Sequence, residues 1–315
     1  MNEFDLREVA RARFIFLLKI ALCFEAIPAP SQTIPYSPFI HHSSAKSNSS
    51  KVIYDILYAQ IDSYELKLDL YLPSAEKKAP VIVWIHGGAF VGGDKAHARR
   101  YAPAFARRGF AVASVNYRLL PVRYPAQIHD VKGAIRFLRA QAHVYNLDPE
   151  HVAVLGTSAG GILACQVGVS CGYAPWEGTV GGNENQSSCV QAVVNCFGSV
   201  SYENITQHHL PARKQNRLAR LLGCSLDTDT CWQKLKEAIP EFHLDKSDPP
   251  FLILHGAHDR TIPVDNSRDF DRMLQQAGVS STLIVDPRFD HDTRLIYAHI
   301  EEIVAFLNTY LKPNP

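Results

Sequence analysis

The chain has 315 residues, enough for one large domain, and 46% of them are apolar against 20% charged, as in a water-soluble globular protein. Its 32 basic and 31 acidic side chains nearly balance, so no overall field favours nucleic acid or an anionic membrane as a partner. A neutral or small-molecule substrate is expected, and nothing in the sequence indicates an oligomeric state.

The first 50 residues differ in character from the rest. An apolar stretch at 14–24 follows three arginines; it is too short to span a bilayer stably and has about the length of a signal-peptide core. Lys19 and nearby acidic residues weaken that pattern, so an amphipathic N-terminal helix is the alternative. The pattern favours a secreted or periplasmic protein over a cytoplasmic one. Residues 28–50, rich in Ser and Pro, predict a flexible lead-in.

The catalytic domain is predicted to cover 51–315. Segments 51–58 and 64–72 alternate apolar with polar residues, which predicts an antiparallel hairpin at a sheet edge with one wet face. From residue 80 the apolar runs are continuous, as in strands buried on both faces of a parallel sheet. These runs lie at 81–85, 111–115, 152–155, 190–194, 251–254 and 282–285.

Helical patterns separate most of these runs. The clearest, at 128–142, carries an apolar stripe with Lys132 and Arg136 on other faces, and the last helix is predicted at 294–311. Alternating strands and helices predict a mostly parallel, doubly wound α/β sheet with right-handed crossovers. Segment 198–247 interrupts the alternation with apolar residues at helical spacing, which predicts a small inserted cap.

Four cysteines lie in pairs that suit surface disulfides in an oxidising compartment, Cys171 with Cys189 and Cys224 with Cys231. Two others lie in apolar runs and are expected in the core: Cys165 and Cys196. No paired C-x-x-C spacing is present, so no metal site is predicted.

Ser158 lies in the range Gly156–Gly160, between an apolar run and a stretch compatible with a helix. This strand, turn and helix context favours a nucleophile elbow, in which residues without bulk two positions on either side let strand and helix approach closely. An ordinary turn rich in small residues is the alternative. Residues elsewhere in the chain must decide between the two.

Candidate catalytic residues also follow other apolar runs. The carboxyl ends of parallel strands lie at one edge of a sheet, so these residues are expected to lie close together. Gly87 and Gly88 follow the run at 81–85 and, with the N–H of Ala159, are predicted to form an oxyanion hole. Asp259 and His291 follow the runs at 251–254 and 282–285. A serine hydroxyl is too weakly acidic to attack alone; it needs an imidazole to take its proton and a carboxylate to orient that imidazole. The chain order Ser, Asp, His is that of α/β-hydrolase triads.

Other residues are weaker alternatives for the same roles. Asp265 and Asp290 are the alternative acids, and His258 is the alternative base. His258 is disfavoured because residues adjacent on a loop, here His258 and Asp259, seldom face each other. His86 is expected to order the glycine loop, and His255 to hydrogen-bond within its own loop.

These motifs resemble the esterase and lipase branch of the α/β hydrolases that carries the H-G-G sequence, the relatives of hormone-sensitive lipase. The resemblance is greater to the bacterial feruloyl/acetyl-xylan esterase-like group, because Thr157 stands where the lipase relatives have Asp. It is carried by the segments 68–73, 86–88, 116–119, 124–130, 156–161 and 255–259. It implies an α/β-hydrolase fold and the same site residues.

The sequence therefore predicts a serine carboxylesterase that cleaves short acyl or aryl esters through an acyl-enzyme, with no cofactor and no metal. Acetyl or feruloyl esters of carbohydrate are the expected substrates. The alternatives are an amidase of the arylformamidase or peptidase type, and a binding module on the same scaffold without catalysis.

Overall fold

The computed structural model describes residues 51–74, 77–199, 201–207 and 211–312. The segments at 14–24 and 28–50, on which the predictions of export and of a flexible lead-in depend, lie outside these residues. In the described part of the chain, no helix is both long enough and apolar enough to cross a membrane.

The described residues contribute eight strands to one sheet, in the order β1-β2-β4-β3-β5-β6-β7-β8. They are β1 (Lys51–Ile61), β2 (Tyr64–Leu72), β3 (Ala79–Ile85), β4 (Ala111–Val115), β5 (Leu147–Thr157), β6 (Ala192–Cys196), β7 (Phe251–Gly256) and β8 (Ser281–Asp286). From β4 through β8 neighbouring strands are parallel, whereas β1 with β2 and β2 with β4 are antiparallel. The predicted mostly parallel sheet with an N-terminal hairpin at its edge is confirmed.

Helices cover both faces of the sheet. They are α1 (Ala102–Ala106), α2 (Ala126–Ala140), α3 (Ala142–Tyr145), α4 (Ala159–Gly168), α5 (Ala174–Glu177), α6 (Tyr202–Gln207), α7 (Ala212–Leu222), α8 (Asp229–Ala238), α9 (Asp265–Gln276), α10 (Arg294–Ala298) and α11 (Ile300–Leu311). Short 3₁₀ helices span Lys95–Arg100 and Pro240–His243.

Alternate residues of the central strands feed two separate cores. On β3, Val83 packs in the core that contains α2 and α4, whereas Trp84 packs in the core that contains α1 and α11. Every residue of β3, β4, β6 and β7 is buried. Burial on both faces explains why these strands are continuous apolar runs in the sequence.

One face of α2 differs from the prediction. Lys132 and Arg136 were expected away from the packed face, yet they are only 0% and 2% exposed. Their charges meet Glu177 at the end of α5, with N···O distances of 2.7 Å for Lys132 and 3.2 Å for Arg136. The segment between α4 and β6, closed by the Cys171–Cys189 disulfide, covers this face and supplies the compensating carboxylate.

The predicted helix at 294–311 is two helices, α10 and α11, which meet at His299. The backbone of His299 leaves the helical region, with φ −121° and ψ 26°. Its ring contacts Asp286 at 2.8 Å and Glu302 at 3.1 Å, so the break places an imidazole between two carboxylates.

The insertion at 198–247 lies between β6 and β7 and contains α6, α7, α8 and the 3₁₀ helix at 240–243. It has a small apolar core of its own, in which Leu222, Leu235 and Ile239 pack together, and the Cys224–Cys231 disulfide joins α7 to α8. The cysteines at 165 and 196 are buried and unpaired, as expected of core residues.

Candidate active site

Ser158 lies on a strained turn between β5 and α4. Its backbone has φ 52° and ψ −120°, a conformation that side-chain-bearing residues rarely adopt. A Cβ on Gly156 would lie 2.0 Å from the Gly160 carbonyl oxygen, and one on Gly160 would lie 2.1 Å from that of Ile85. Both glycines are therefore needed for the turn that lifts the Ser158 hydroxyl clear of the sheet.

Replacing Gly160 by Ala is expected to lower the free energy of unfolding by about 3 kcal/mol or more, because backbone atoms of β3 would have to move. The matched control is Gly92→Ala, where an added Cβ meets no atom within 4 Å. Urea denaturation of both variants checks the expectation. Equal stabilities would contradict the packing described here.

The structure brings Ser158, Asp259 and His291 together. The Ser158 hydroxyl donates to His291 Nε2 at 2.8 Å, and His291 Nδ1 donates to Asp259 Oδ2 at 2.6 Å. The three residues follow β5, β7 and β8, so the carboxyl ends of the parallel strands deliver them to one edge of the sheet. Phe197, after β6, holds the His291 ring edge to face, with ring centroids 4.7 Å apart.

The Asp259 carboxylate is buried and fully engaged. Its Oδ1 accepts hydrogen bonds from the backbone N–H groups of Thr261 at 2.7 Å and Ile262 at 2.8 Å, while Oδ2 faces His291 and, at 3.1 Å, His255 Nε2. Burial alone would raise the pKa of Asp259, but the hydrogen bonds from His255, His291 and Ile262 outweigh it and lower the pKa well below its usual range. The group is a carboxylate at neutral pH.

His255 extends this arrangement behind Asp259. Because Nε2 faces the Asp259 carboxylate, it carries the ring proton, and Nδ1 accepts from the Ser267 hydroxyl at 2.7 Å. Ser267 Oγ lies 3.1 Å from Ser199 Oγ, which accepts from Asn195 Nδ2 at 2.6 Å. These links join β6, β7 and α9 beneath the site. The contact of His255 within its own loop was predicted, whereas the links to Ser267 and Ser199 carry no local sequence signal.

The side chains of the alternative acids and base take no part in this hydrogen-bond chain. Asp265 is exposed and pairs with Arg268 at 2.8 Å, and Asp290 and His258 are also exposed. None of the three side chains is hydrogen-bonded to Ser158 or His291.

Gly87 and Gly88 lie beside the serine. A Cβ on Gly87 would be 3.2 Å from Ser158 Cβ, and Gly88 has φ 121°, where its carbonyl oxygen accepts from Val91 N at 3.0 Å. The N–H groups of Gly87, Gly88 and Ala159 have no hydrogen-bond acceptor among the described residues. Unpaired backbone donors next to a serine can receive an oxygen that gains negative charge.

The imidazole of His86 fixes this glycine loop. His86 Nδ1 donates to the Gly87 carbonyl oxygen at 2.7 Å, and its ring stacks on Tyr117 with centroids 4.3 Å apart. The Tyr117 hydroxyl donates to the His86 carbonyl oxygen at 2.8 Å. Burial lowers the pKa of His86 to about 4, so the ring is neutral at pH 7.

The lowered pKa of His86 predicts acid sensitivity. In the unfolded chain His86 binds a proton near pH 6.5, whereas in the folded protein it does so only near pH 4, so the unfolded state holds more protons between these values. The contribution of neutral His86 to the free energy of unfolding is therefore fully present above pH 6.5. It is lost as the pH drops toward 4, by up to about 3 kcal/mol. Urea titrations from pH 7 to pH 4.5 measure this loss.

His86→Gln should be less stable overall but should lack this part of the pH dependence. His143→Gln, at an exposed position, should keep it. An unchanged pH dependence in His86→Gln would refute the assignment.

No group of three or more His, Cys, Asp or Glu side chains in the described part of the chain is arranged to hold a metal ion. The class of protein that this sheet defines, with a serine elbow after β5, an acid after β7 and a histidine after β8, is the α/β hydrolases. The chain belongs to the BD-FAE family, whose model matches residues 68–274.

Two curated relatives from Mycobacterium tuberculosis are ester hydrolases by name. Esterase LipC of Mycobacterium tuberculosis is 30% identical over 79% of this chain and 60% of its own length. The probable carboxylic ester hydrolase LipM of the same organism is 30% identical over 63% of this chain and 45% of its own length. The chain thus spans only about half the length of these relatives.

Two solved structures match this chain over nearly their whole length. A truncated carbohydrate esterase from gut microbiota superposes with a TM-score of 0.72 at 29% identity, covering 84% of this chain and 99% of that one. The thermophilic esterase Est2 of Thermogutta terrifontis gives a TM-score of 0.67 at 25% identity, covering 85% and 95%.

Proposed function

We propose that the chain is a serine carboxylesterase that hydrolyses short-chain or aryl carboxylic esters, with acetyl and feruloyl esters of carbohydrate as the natural class. The observation that carries this proposal is the unbroken hydrogen-bond chain from Ser158 through His291 to the Asp259 carboxylate. Two of the similar proteins, one named an esterase and one a carbohydrate esterase, support it.

In the acylation half of the reaction, Ser158 Oγ attacks the ester carbonyl while its proton passes to His291 Nε2. The carbonyl oxygen gains negative charge and is received by the N–H groups of Gly87, Gly88 and Ala159. Asp259 stabilises the imidazolium that forms. His291 then returns the proton to the departing alcohol as the tetrahedral intermediate collapses, which leaves an acyl-serine.

Deacylation repeats these steps with water in place of the alcohol. His291 takes a proton from the water, which attacks the acyl carbonyl, and gives that proton to Ser158 Oγ as the acid leaves. Asp259 keeps the ring in the tautomer that both steps need, and the hydrogen bonds at its two oxygens keep it ionised. These side chains accept and donate every proton that moves, so the reaction as proposed needs no cofactor.

A substrate panel separates this proposal from its alternatives. p-Nitrophenyl acetate and methyl ferulate should be hydrolysed with kcat/KM at least about 100-fold above that for formanilide or a dipeptide, because an amine leaves less readily than an alcohol and needs fuller protonation. Faster cleavage of formanilide would identify an amidase. Binding without turnover of any of them would identify a non-catalytic module.

We also propose that the protein works in an oxidising compartment, secreted or periplasmic. The disulfides Cys171–Cys189 and Cys224–Cys231 support this location, because such bonds are rare in reducing cytoplasm. The protein is isolated from its host, denatured, and alkylated without reductant. These four cysteines should stay unlabelled until reduction; full labelling before reduction would contradict the proposal.

A further inference from the structure

Helix α7 carries four cations and no acidic residue: Arg213, Lys214, Arg217 and Arg220. Arg213, Arg217 and Arg220 stand at positions i, i+4 and i+7, so they line one face of the helix. We call these three arginines the basic row. At a rise of about 1.5 Å per residue, the row is about 10 Å long.

Among the described residues, no acidic side chain compensates the charge of the basic row. Arg213 and Arg220 are exposed and Arg217 is partly exposed, and none forms an ion pair with a residue that the structure describes. By contrast, Arg268 and Arg272 on α9 each pair with an aspartate one turn earlier. An uncompensated row of guanidinium groups attracts anions and binds carboxylates through paired hydrogen bonds.

A hydrogen bond from helix α7 and a cleft lined by the basic row place this row next to the catalytic edge of the sheet. At one end of α7, Lys214 Nζ donates to the Thr261 carbonyl oxygen at 2.7 Å, and Thr261 binds the Asp259 carboxylate. The row also lines, with Val91, a cleft of about 480 Å³. Val91 closes a turn with Gly88, so their Cα atoms lie within about 7 Å. Helix α7 therefore reaches from the acid loop to the glycine loop.

The positive surface continues beyond the row. Arg220 also lines a second cleft of about 480 Å³, together with Arg123 and the C-terminal end of α7. Arg260, which follows Asp259 directly, is exposed. A chain that enters the site along α7 thus passes several cations in succession.

We propose that the basic row binds the non-reacting part of an anionic ester substrate, and that this substrate is an acylated acidic saccharide. A row about 10 Å long suits a chain with repeated carboxylates better than a single charged group. Arginines at one helix face would hold that chain while one of its O-acyl groups reaches Ser158. This inference rests on the esterase function proposed above and names its substrate class.

The variant that tests the row is Arg213→Gln, Arg217→Gln and Arg220→Gln together. Glutamine has nearly the helix propensity of arginine, and the variant leaves Lys214 and the buried leucines of α7 in place. The matched control is Lys77→Gln, Lys78→Gln and Arg107→Gln. Those three exposed cations precede β3 and β4, at the edge of the sheet opposite the site, and their loss changes the net charge equally.

Activity is measured on acetylated oligogalacturonate and on acetylated xylo-oligosaccharide, which differ in charge but carry the same acyl group. Wild type and the control variant should prefer the acidic substrate. The row variant should lose about 10-fold in kcat/KM for it, since each exposed pair contributes about twofold to fivefold, and stay within about twofold on the neutral one. About 0.5 M salt should weaken the preference of wild type similarly.

Binding to Ser158→Ala, measured by calorimetry with unacetylated oligogalacturonate, keeps the inference testable even if no ester is hydrolysed. Tighter binding than to xylo-oligosaccharide, lost in the row variant, supports it. Equal binding of the two saccharides overturns it, as does a row variant that loses activity equally on both substrates. Anionic phosphatidylserine vesicles that bind through the row, while the acidic saccharide does not, would also overturn it.

Discussion

Ser158→Ala is expected to lower kcat for p-nitrophenyl acetate by about 10⁴-fold or more. The variant removes the hydroxyl that donates to His291 Nε2 at 2.8 Å and attacks the ester, so no acyl-enzyme can form. Residual turnover would come from water held near the oxyanion donors of Gly87 and Gly88. Steady-state kinetics at pH 7.5, with circular dichroism to confirm folding, measure the loss.

The control for this variant is the same change at a buried serine outside the site. Ser170 follows the C-terminal end of α4 and donates its hydroxyl to the Gln166 carbonyl oxygen within that helix. Ser170→Ala should keep kcat within about twofold, because local side-chain to backbone bonds of this kind contribute little. If Ser158→Ala retains activity within tenfold of wild type, Ser158 is not the nucleophile.

Asp259→Asn is expected to lower kcat by about 10³-fold to 10⁴-fold while leaving the fold intact. The backbone N–H groups of Thr261 and Ile262 both point at Oδ1, so they fix the amide oxygen at that position. The amide NH₂ then faces His291 Nδ1 and donates to it. That exchange moves the ring proton to Nε2, which can no longer accept the proton of Ser158.

The matched control is Asp265→Asn, at the exposed alternative acid that pairs with Arg268. Its kcat should stay within about twofold of wild type. A loss smaller than tenfold in Asp259→Asn, or a larger loss in Asp265→Asn, would mean that the acid has been misassigned. Measuring kcat across the pH range for both variants separates a tautomer effect from a shifted optimum.

Much of the fold could be predicted because its strands are buried on both faces. Such strands read as continuous apolar runs, and β3, β4, β6 and β7 all lie within a few residues of the predicted limits. The edge hairpin has one solvent-exposed face, so its strands show apolar residues alternating with polar ones. The carboxyl ends of parallel strands lie at one edge of the sheet, so residues that follow the apolar runs lie close together. For this reason the sequence alone could predict that Ser158, Asp259 and His291 form one site.

The features that the sequence did not predict have a common physical origin, because each depends on a contact between distant segments. Periodicity indicated a charged outer face for α2, but it could not show that Glu177 would arrive there and bury Lys132 and Arg136. In the same way, the break at His299 depends on Asp286, thirteen residues earlier. Local patterns report which residues share a face, not what covers it.

The insertion at 198–247 is the part of the domain that its sequence predicts least. Its leucines predicted helices, but the overall charge balance concealed the basic row, whose spacing of four and three residues was the available signal. Whether a cationic face matters depends on its position. The basic row is placed beside the site by the hydrogen bond from Lys214 to Thr261 and by the cleft that the row shares with Val91. The substrate specificity of the proposed esterase is therefore expected to lie in this insertion.

Covalent labelling tests the central claim most directly. A fluorophosphonate requires an activated serine and reports it without any choice of substrate. Incubation of the intact protein with the probe, followed by digestion and mass spectrometry, should give one adduct, on Ser158, and none in Ser158→Ala. Asp259→Asn should label far more slowly. An unlabelled Ser158, or an adduct on another serine at the same rate, would contradict the mechanism.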